Sequence, residues 1–264
     1  MIEKGKIAVL VGRRALSTWE GIKHFHEYML SILKSFKSFR YLRFRSIYSI
    51  AVNQTRFTGF DALPFVIFIA LVIGATVIIQ ATTNLPKFGV EGFIGNLLVI
   101  IVARELGPLV TSLIVVSRSG SAIAAEIATQ KWSREILSME IIGIDTRLYI
   151  VFPRIVASIL SIFSLIIIFD IVAFFGGYLI SQSVVYIPTD IFIQNLLDSF
   201  SLIDLLATVI KSVIYGILVP LICCYYGFMP KSKFEIPIYV SHAVMRTLVI
   251  IFIINVVISA MFYF

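Results

Sequence analysis

Three charged side chains lie inside stretches that are otherwise apolar. Arg104 and Glu105 are adjacent in the stretch from Phe93 to Val116, and Lys211 lies in the stretch from Leu205 to Phe228. A charge near the middle of a bilayer costs about 2.5–3.5 kcal/mol on insertion scales, so such groups face the protein interior or a water-filled cavity. We therefore expect Lys211 to pair with Glu105, either as a link between two spanning helices or as part of a substrate path.

A proline closely follows the charged pair, in the sequence Leu106-Gly107-Pro108. Because proline removes one backbone hydrogen bond and kinks a helix, charge and kink together indicate a functional element. A further acid, Asp170, precedes Gly176-Gly177 in another apolar stretch. Asp170 could bind a proton or a cation. The small residues that follow it let helices approach closely, and we favour a polar hydrogen-bonding contact for Asp170.

No common catalytic motif occurs in the chain. The sequence contains no Walker A loop and no HExxH, GxSxG or HxE…CxxC pattern, and its histidines, His24, His26 and His242, are too scattered to form a metal site. The cysteines, Cys223 and Cys224, are adjacent and lack metal-ligand spacing. We therefore predict a non-catalytic chain without cofactor or metal. Any uphill transport by it must draw its energy from another protein.

The class of protein that must position these residues follows from the composition. Of 264 residues, 59% are hydrophobic and 14% are charged, and the mean hydropathy is +1.00, whereas a soluble domain carries about a quarter charged residues. The chain is therefore an integral membrane protein, which excludes a water-soluble enzyme or a nucleic-acid-binding domain. The net charge of +7 arises from residues 1–58, where it suits anionic lipid headgroups.

Five apolar stretches are long enough to cross a membrane as helices, which need roughly 20 residues each. Lys and Arg are enriched in the N-terminal segment and in the loops after the second and fourth stretches, and cytoplasmic loops carry this excess. We therefore expect a cytoplasmic N-terminus and a C-terminus on the opposite side. The sequence predicts an all-α membrane protein with spans at residues 62–86, 93–116, 155–180, 205–228 and 247–264.

The segment before the first span predicts an amphipathic helix. Apolar residues recur at helical spacing from Ile22 to Phe36, with charged residues between them, which is typical of a helix lying in the membrane interface. A helix packed against a partner protein is the alternative. We expect residues 1–58 to form this basic segment and residues 59–264 to form the transmembrane domain.

The loop after the second span predicts a cytoplasmic helix within residues 122–142. It has a close-packing alanine face, and Gly143 follows in the position expected of a helix terminator. Its apolar residues would fill a groove on a partner protein, and its acids would meet basic residues at the rim, where charge sets orientation and specificity. The residues expected to make this contact include Glu126, Glu135, Ile136, Met139 and Glu140.

From about Gln54 to the C-terminus, the chain resembles the MlaE-type permeases, also called YrbE, which are membrane subunits of ABC transporters associated with MCE proteins. The resemblance implies a homodimeric permease of the bacterial inner membrane, with a periplasmic C-terminus. It implies two bound copies of a cytoplasmic ATPase, a ring of MCE subunits, and movement of phospholipids or other apolar molecules between membranes. Whether a small STAS-type regulatory subunit joins the ATPase stays open. The segments that carry the resemblance are QTRFTGFDALPFVI, KFGVEG, ARELGPLVTSLIVVSRSGSAIAAEIATQK, MEIIGID, PRIVA and IKSVIYG.

The resemblance also implies roles for particular residues. Arg104, Glu105 and Lys211 match polar intramembrane positions regarded as functional in the family, and the loop after the second span matches the ATPase contact. The cavity between the two permease copies receives lipid in such proteins. We expect it to be lined by the last span together with Ile79, Gln80 and Thr83.

The chain departs from the family pattern at two places. Many relatives have an acid where this chain has Asn255, so a charge network that uses this position is altered here. The loop before the last span is often rich in Gly and Thr in relatives but reads KSKFEIPIYVSHAVMRT in this chain.

Two other classes of function compete with a lipid permease. An ion- or proton-coupled secondary transporter would use Asp170, Glu105 and Lys211 as a relay, but five spans without an inverted repeat fit this class poorly. A purely structural membrane anchor would not explain why charged residues lie within the membrane spans.

Overall fold

The structure is a computed structural model, and it describes residues 23, 25, 27–32, 44–84, 97–183 and 188–263. Within these residues the regular secondary structure is entirely helical. Five helices of the described part are long and apolar enough to cross a membrane, which confirms the predicted number of spans. In chain order, spans 1 to 5 are Ile50–Asn84, Val99–Trp132, Tyr149–Ile180, Leu202–Gly227 and Lys233–Tyr263.

The spans are built from α-helices joined by short π-helical or 3₁₀ segments. In the first half, the elements are α1 (Phe44–Thr58), a 3₁₀ turn (Phe60–Ala62), α2 (Leu63–Asn84), a π segment (Val99–Leu106), α3 (Gly107–Val115), a second π segment (Val116–Gly120), α4 (Ser121–Trp132) and α5 (Glu135–Ile141). In the second half, they are α6 (Thr146–Ile171), a π segment (Val172–Gly176), α7 (Gly177–Ser181), α8 (Thr189–Ser199), α9 (Leu202–Gly227), a 3₁₀ turn (Lys233–Glu235) and α10 (Ile236–Tyr263).

Span 2 does not end where the sequence predicts. Residues 122–142 do not form one separate helix: α4 continues span 2 without a break, and only α5 is a separate helix. In and next to the polar segment between α3 and α4, serine hydroxyls are satisfied by the helix's own carbonyls. Ser117 Oγ donates to the Leu113 carbonyl at 2.8 Å, and Ser121 Oγ donates to the Ser117 carbonyl at 2.6 Å.

The short helix α5 has well-defined ends. Arg134, with φ 64°, lies between α4 and α5 in the left-handed region, which interrupts the helix. At the other end, Gly143 has φ 81°, its N–H donates to the Glu140 carbonyl at 3.0 Å, and the Ile144 N–H donates to the Met139 carbonyl at 3.0 Å. This pair of bonds is a Schellman motif, and it confirms that Gly143 terminates the helix.

Span 5 also begins earlier than expected. The sequence places residues 231–247 in a loop, but α10 starts at Ile236. Pro237 lies in the first turn, where the missing N–H costs nothing because the first turn has no intrahelical acceptor. Arg246, the charge after which the sequence placed the start of the span, therefore belongs to the helix.

The spans pack around α9. This helix packs against α6, α10 and α4, and Gly216 lets the α6 backbone at Ile159 approach it closely. Span 1 packs mainly on span 3, where Gly177 lies against the backbone of Gly74 and Ala75. A side chain at Gly177 would collide with this backbone, and one at Gly176 would collide with the Leu71 side chain of span 1, which confirms the predicted role of Gly176-Gly177 as a close helix contact.

The described part of the N-terminal segment is helical at residues 27–32. Tyr28 and Ile32 are buried, and the rings of Phe25 and Tyr28 lie 5.1 and 5.2 Å from the ring of Tyr225 in α9. The chain's own span 4 therefore covers much of the apolar face that the sequence assigned to the membrane interface or to a partner. Ile22, Leu33 and Phe36 lie outside the described residues.

Candidate intramembrane polar site

Spans 2, 4 and 5 bring the predicted intramembrane polar residues together. Arg104 and Glu105 lie in the π segment of span 2, Lys211 lies in α9, and Asn255 lies in α10. Single π-helical turns are found frequently at functional sites. Because spans 2 and 4 run in the same direction and span 5 runs in the opposite one, the site lies toward the membrane side opposite the loops that follow Lys131 and that carry Lys231. We call that loop-bearing side the basic side.

Lys211 is the buried centre of the site, with its side chain 1% exposed. Its Nζ donates to the backbone carbonyl of Arg104 at 2.5 Å and to Ser259 Oγ at 2.9 Å. The same nitrogen lies 3.6 Å from Glu105 Oε1. The predicted pairing of Glu105 with Lys211 is therefore confirmed, and Lys211 also links spans 2 and 5 through two further bonds.

Glu105 connects this centre to the surface. Its Oε2 accepts a hydrogen bond from Asn255 Nδ2 at 2.7 Å, and Asn255 Oδ1 accepts one from the Tyr215 hydroxyl at 2.8 Å. Asn255 and Tyr215 are buried, whereas the side chain of Glu105 is 37% exposed. The Glu105 carboxylate is thus hydrogen-bonded to the protein on one side and exposed at the surface on the other.

Arg104 makes a second ion pair next to the first. Its Nε lies 2.7 Å from Asp204 Oδ1, its Nη2 donates to Asp204 Oδ2 at 3.3 Å, and its guanidinium lies over the ring of Tyr263 at 4.5 Å. Asp204 is 2% exposed and belongs to a capping box, since its Oδ2 also accepts the Ser201 N–H at 2.9 Å. One carboxylate therefore fixes both the start of α9 and the orientation of Arg104.

The charges of this site balance. Two cations, Arg104 and Lys211, face two anions, Asp204 and Glu105, and Asn255 is neutral. An acid at position 255 would add a third negative charge within hydrogen-bond distance of Glu105. The departure from the family pattern at Asn255 therefore fits a network that is already neutral without it.

Sequence reasoning missed part of this network: Asp204, Tyr215, Ser259 and Tyr263. Asp204 was excluded because the predicted span 4 began at the next residue. Helical spacing could have revealed all four. Asp204, Lys211 and Tyr215 are separated by seven and four residues on α9, and Asn255, Ser259 and Tyr263 are separated by four residues each on α10, which places each set on one helix face.

Asp170 does not make the polar contact that the sequence predicts. Its buried Oδ1 has no hydrogen-bond partner among the described residues. This oxygen lies against the Cα of Gly107, which offers no side-chain donor, and the Gly107 N–H donates to the Val102 carbonyl. The prediction of a hydrogen-bonded Asp170 is therefore wrong, although the acid does lie at a close contact between spans 3 and 2.

Comparisons with known proteins give the chain its family. The profile of the family described as Permease MlaE matches residues 51–261. The chain belongs to this family. A probable ABC transporter permease protein of Rickettsia bellii (strain RML369-C) is 27% identical over 258 residues, which cover 97% of this chain and 98% of the relative. The intermembrane phospholipid transport system permease protein MlaE of Haemophilus influenzae is 30% identical over 208 residues, 78% of each chain.

A similar protein also occurs in a plant. The chloroplastic protein TRIGALACTOSYLDIACYLGLYCEROL 1 of Arabidopsis thaliana is 28% identical over 213 residues, which cover 80% of this chain and 61% of the relative. The resemblance that the sequence motifs indicated is confirmed. This MlaE-family permease is a multi-pass membrane protein, since its described part contains five helices able to span a membrane.

The predicted cavity lining lies at the end of α2, away from the basic side. Gln80 and Thr83 are exposed and Ile79 is half-buried, while Thr83 Oγ1 donates to the Ile79 carbonyl at 2.7 Å. In this MlaE-family permease α2 packs on span 3 rather than on α10. A cavity shared by these residues and span 5 would therefore need a second copy of the chain, and it stays a prediction.

The predicted ATPase-contact residues lie on both sides of the turn between α4 and α5. Glu126 pairs with the buried Arg154 at 2.8 Å, and Glu135 Oε1 accepts a hydrogen bond from Ser133 Oγ at 2.8 Å. Glu140 Oε1 accepts one from Thr146 Oγ1 at 3.0 Å. The acids are thus already engaged within the chain.

Only part of the apolar surface of α5 expected to contact a partner is exposed, at Leu137 and Ile141. Ile136 is 6% exposed and Met139 packs on the core, so neither side chain is free to fill a groove on another protein. Leu137, Ile141 and Ile142 are 50%, 76% and 71% exposed instead. The reason is that α5 lies back against the rest of the chain, which the helix pattern alone does not indicate.

Proposed function

We propose that the chain is the membrane-spanning permease subunit of an ABC-type transporter that moves phospholipids or similar apolar molecules. The observation that carries the proposal is the match of the Permease MlaE family to residues 51–261. The phospholipid as cargo is supported by the printed function of the relative from Haemophilus influenzae. In this proposal the chain has no catalytic step of its own, and a separate ATPase hydrolyses ATP.

The geometry supports different roles for the two ends of the chain along the membrane normal. The exposed apolar residues of α5 lie on the basic side, where an ATPase would dock. The polar site at the other end ties spans 2, 4 and 5 together through Lys211 and Glu105. A force applied to α5 would then reach the site through span 2, and the exposed edge of Glu105 is the group that a lipid headgroup would meet.

The partners and the location follow the same reasoning. We infer a homodimer, because α10 exposes a row of large apolar side chains at helical spacing to which a second copy could pack. We also infer an MCE-domain protein on the far side, a bacterial inner membrane location with a cytoplasmic N-terminus, and the domain division at residues 58 and 59. The α10 row is Met245, Val249, Phe252 and Val256.

Purification and reconstitution test this proposal. The tagged chain is purified from its native membrane, the co-purifying proteins are identified, and the complex is placed in liposomes that contain a fluorescent phospholipid. We expect an ATPase to co-purify and phospholipid transfer to acceptor vesicles to require ATP. Lys211→Ala should reduce transfer, whereas Lys231→Ala, which changes an exposed lysine, should not. Flux driven by an ion gradient through the chain alone would instead favour a secondary transporter.

A further inference from the structure

The short helix α8 (Thr189–Ser199) lies between two spans and is not itself a span. It follows the end of span 3 at Ile180 and precedes the start of span 4 at Leu202, on the membrane side opposite the basic side. Only two residues separate α8 from span 4. Its C-terminal end must therefore lie at the membrane surface, close enough for its side chains to reach the bilayer.

The surface of α8 is divided into three faces. The first is buried: Phe192 is 4% exposed, its ring stacks on that of Tyr178 with the centres 4.6 Å apart, and Leu196 packs on the core. The second face is apolar but exposed, at Ile193 and Leu197. The third face is polar and exposed, and its residues are Asp190, Gln194 and Asp198.

The order of these faces around the helix fits a membrane interface. At about 100° per residue, the polar face is centred about 180° from the buried face, and the exposed apolar face lies between them, about 100° from the buried face. A helix that packs on protein and is otherwise surrounded by water carries polar residues over the rest of its surface. A helix in a membrane interface instead turns an apolar side toward the lipid and a polar side toward the water. The arrangement in α8 is the second kind, with a further face for the protein.

The exposed apolar face continues along the chain into span 4. Phe200, directly after α8, is 39% exposed, and Leu202, in the first turn of α9, is 82% exposed. Leu205 and Leu206, one turn further into this spanning helix, are exposed as well. No Lys or Arg occurs from residue 181 to residue 204. A contact of α8 with the membrane would therefore rest on its apolar side chains, without attraction to anionic headgroups.

We propose that α8 lies in the membrane interface of the leaflet opposite the basic side. Ile193 and Leu197 lie at the boundary between headgroups and acyl chains, and the polar face is in water. The partner of α8 is the lipid surface as a whole, and no single lipid molecule is bound there. This placement needs neither ATP nor cargo, so it goes beyond the proposed function and its failure would leave that function untouched. Only the polar face of α8 is then open to a protein in the aqueous phase.

Spin labels on single introduced cysteines test this placement. The purified full-length chain is placed in nanodiscs of phosphatidylcholine. Electron paramagnetic resonance then measures how often each label collides with oxygen, which concentrates in the bilayer, and with a nickel chelate, which stays in water. The native cysteines are buried, and the unmodified chain treated with the same label gives the background. The labelled variants are Ile193→Cys and Leu197→Cys on the apolar face and Gln194→Cys and Asp198→Cys, their matched controls, on the polar face.

The two faces should give opposite results. We expect the ratio of oxygen collisions to chelate collisions to exceed one at positions 193 and 197 and to fall below one at positions 194 and 198. Equal ratios on both faces would overturn the proposal, because α8 would then lie wholly in water or wholly in lipid. Protection of positions 193 and 197 from both reagents would also overturn it, because protein, such as a second copy of the chain, would then cover the apolar face.

A second measurement avoids the cysteine label. The native tryptophans, Trp19 and Trp132, are replaced by Phe, and Leu197→Trp and Asp198→Trp are compared in vesicles whose phosphatidylcholine carries bromine near the start of its acyl chains. Because bromine quenches tryptophan fluorescence on contact, we expect a larger loss of fluorescence at position 197 than at position 198. Equal quenching at the two positions would contradict the proposed orientation of α8.

Discussion

Lys211 Nζ donates to the backbone carbonyl of Arg104 at 2.5 Å, one turn before Pro108 in span 2. The Arg104 carbonyl lies in the π segment, where the Gly107 N–H donates to the Val102 carbonyl five residues back, and Pro108 has no N–H for the next bond of the helix. Span 4 thus supplies from outside a hydrogen bond at the point where the regular bonding of span 2 is interrupted. The proline and the charge, which the sequence presents as separate signals, lie at one contact.

The first prediction concerns the Lys211–Glu105 pair. Lys211→Ala should lower the free energy of unfolding by about 3–5 kcal/mol, because it leaves Glu105 without its cation and the Arg104 carbonyl without its donor. The double variant Lys211→Ala/Glu105→Ala should lose less than the single one. Thermal unfolding of the purified chain measures both. Equal stability of Lys211→Ala and the unmodified chain would show that the pair contributes nothing.

The second prediction concerns Asn255. Replacing it with Asp removes the donor to Glu105 Oε2 and puts a negative charge in its place, which should destabilise the chain by about 1.5–3 kcal/mol, the range of a hydrogen bond to a charged group. Glu105→Gln combined with Asn255→Asp should recover most of this loss, since the total charge is then restored. A double variant no more stable than Asn255→Asp would contradict the charge-balance argument.

The third prediction concerns the contact between Gly107 and Asp170. A methyl group at position 107 would meet Asp170 Oδ1, so Gly107→Ala should cost about 1–3 kcal/mol through overpacking. Asp170→Ala should relieve that cost in the double variant. Gly143→Ala cannot serve as a second test of overpacking, because no atom lies close to a side chain at that position. Additive effects of the two substitutions in the unfolding free energy would rule the contact out.

The fourth prediction concerns α5. Leu137→Glu and Ile141→Glu together should weaken association with the ATPase and leave unfolding unchanged, because both side chains are exposed. Ile136→Glu is the matched control: it is buried, and it should destabilise the chain itself. Co-purification of the ATPase and thermal unfolding distinguish the two. Normal ATPase binding by the double variant would move the contact to another surface of the basic side.

Much of the fold is predictable because the bilayer sets the length of its helices. Long apolar runs locate all five spans, and the cost of an unpaired intramembrane charge predicts the pairing of Glu105 with Lys211. Asp204 was missed because the predicted span 4 begins just after this charged residue, although an acid that caps a helix can lie inside the protein. The buried side of α5 was also missed, since a short helix with apolar residues all round gives no sign of which face meets its own chain.

Spans 2 and 4 are fastened to each other at two distant points. One is the bond from Lys211 to Arg104, and the other is the bond from Lys131 Nζ to the Phe228 carbonyl at 2.5 Å. Arg104 and Lys131 are separated along span 2 by about 40 Å. Two helices that are hydrogen-bonded to each other near both ends cannot slide along each other without breaking one of these bonds. A relative motion of spans 2 and 4 that keeps both bonds is therefore a bend, and the π segment Val116–Gly120, which lies between the two bonds, is where span 2 has irregular geometry.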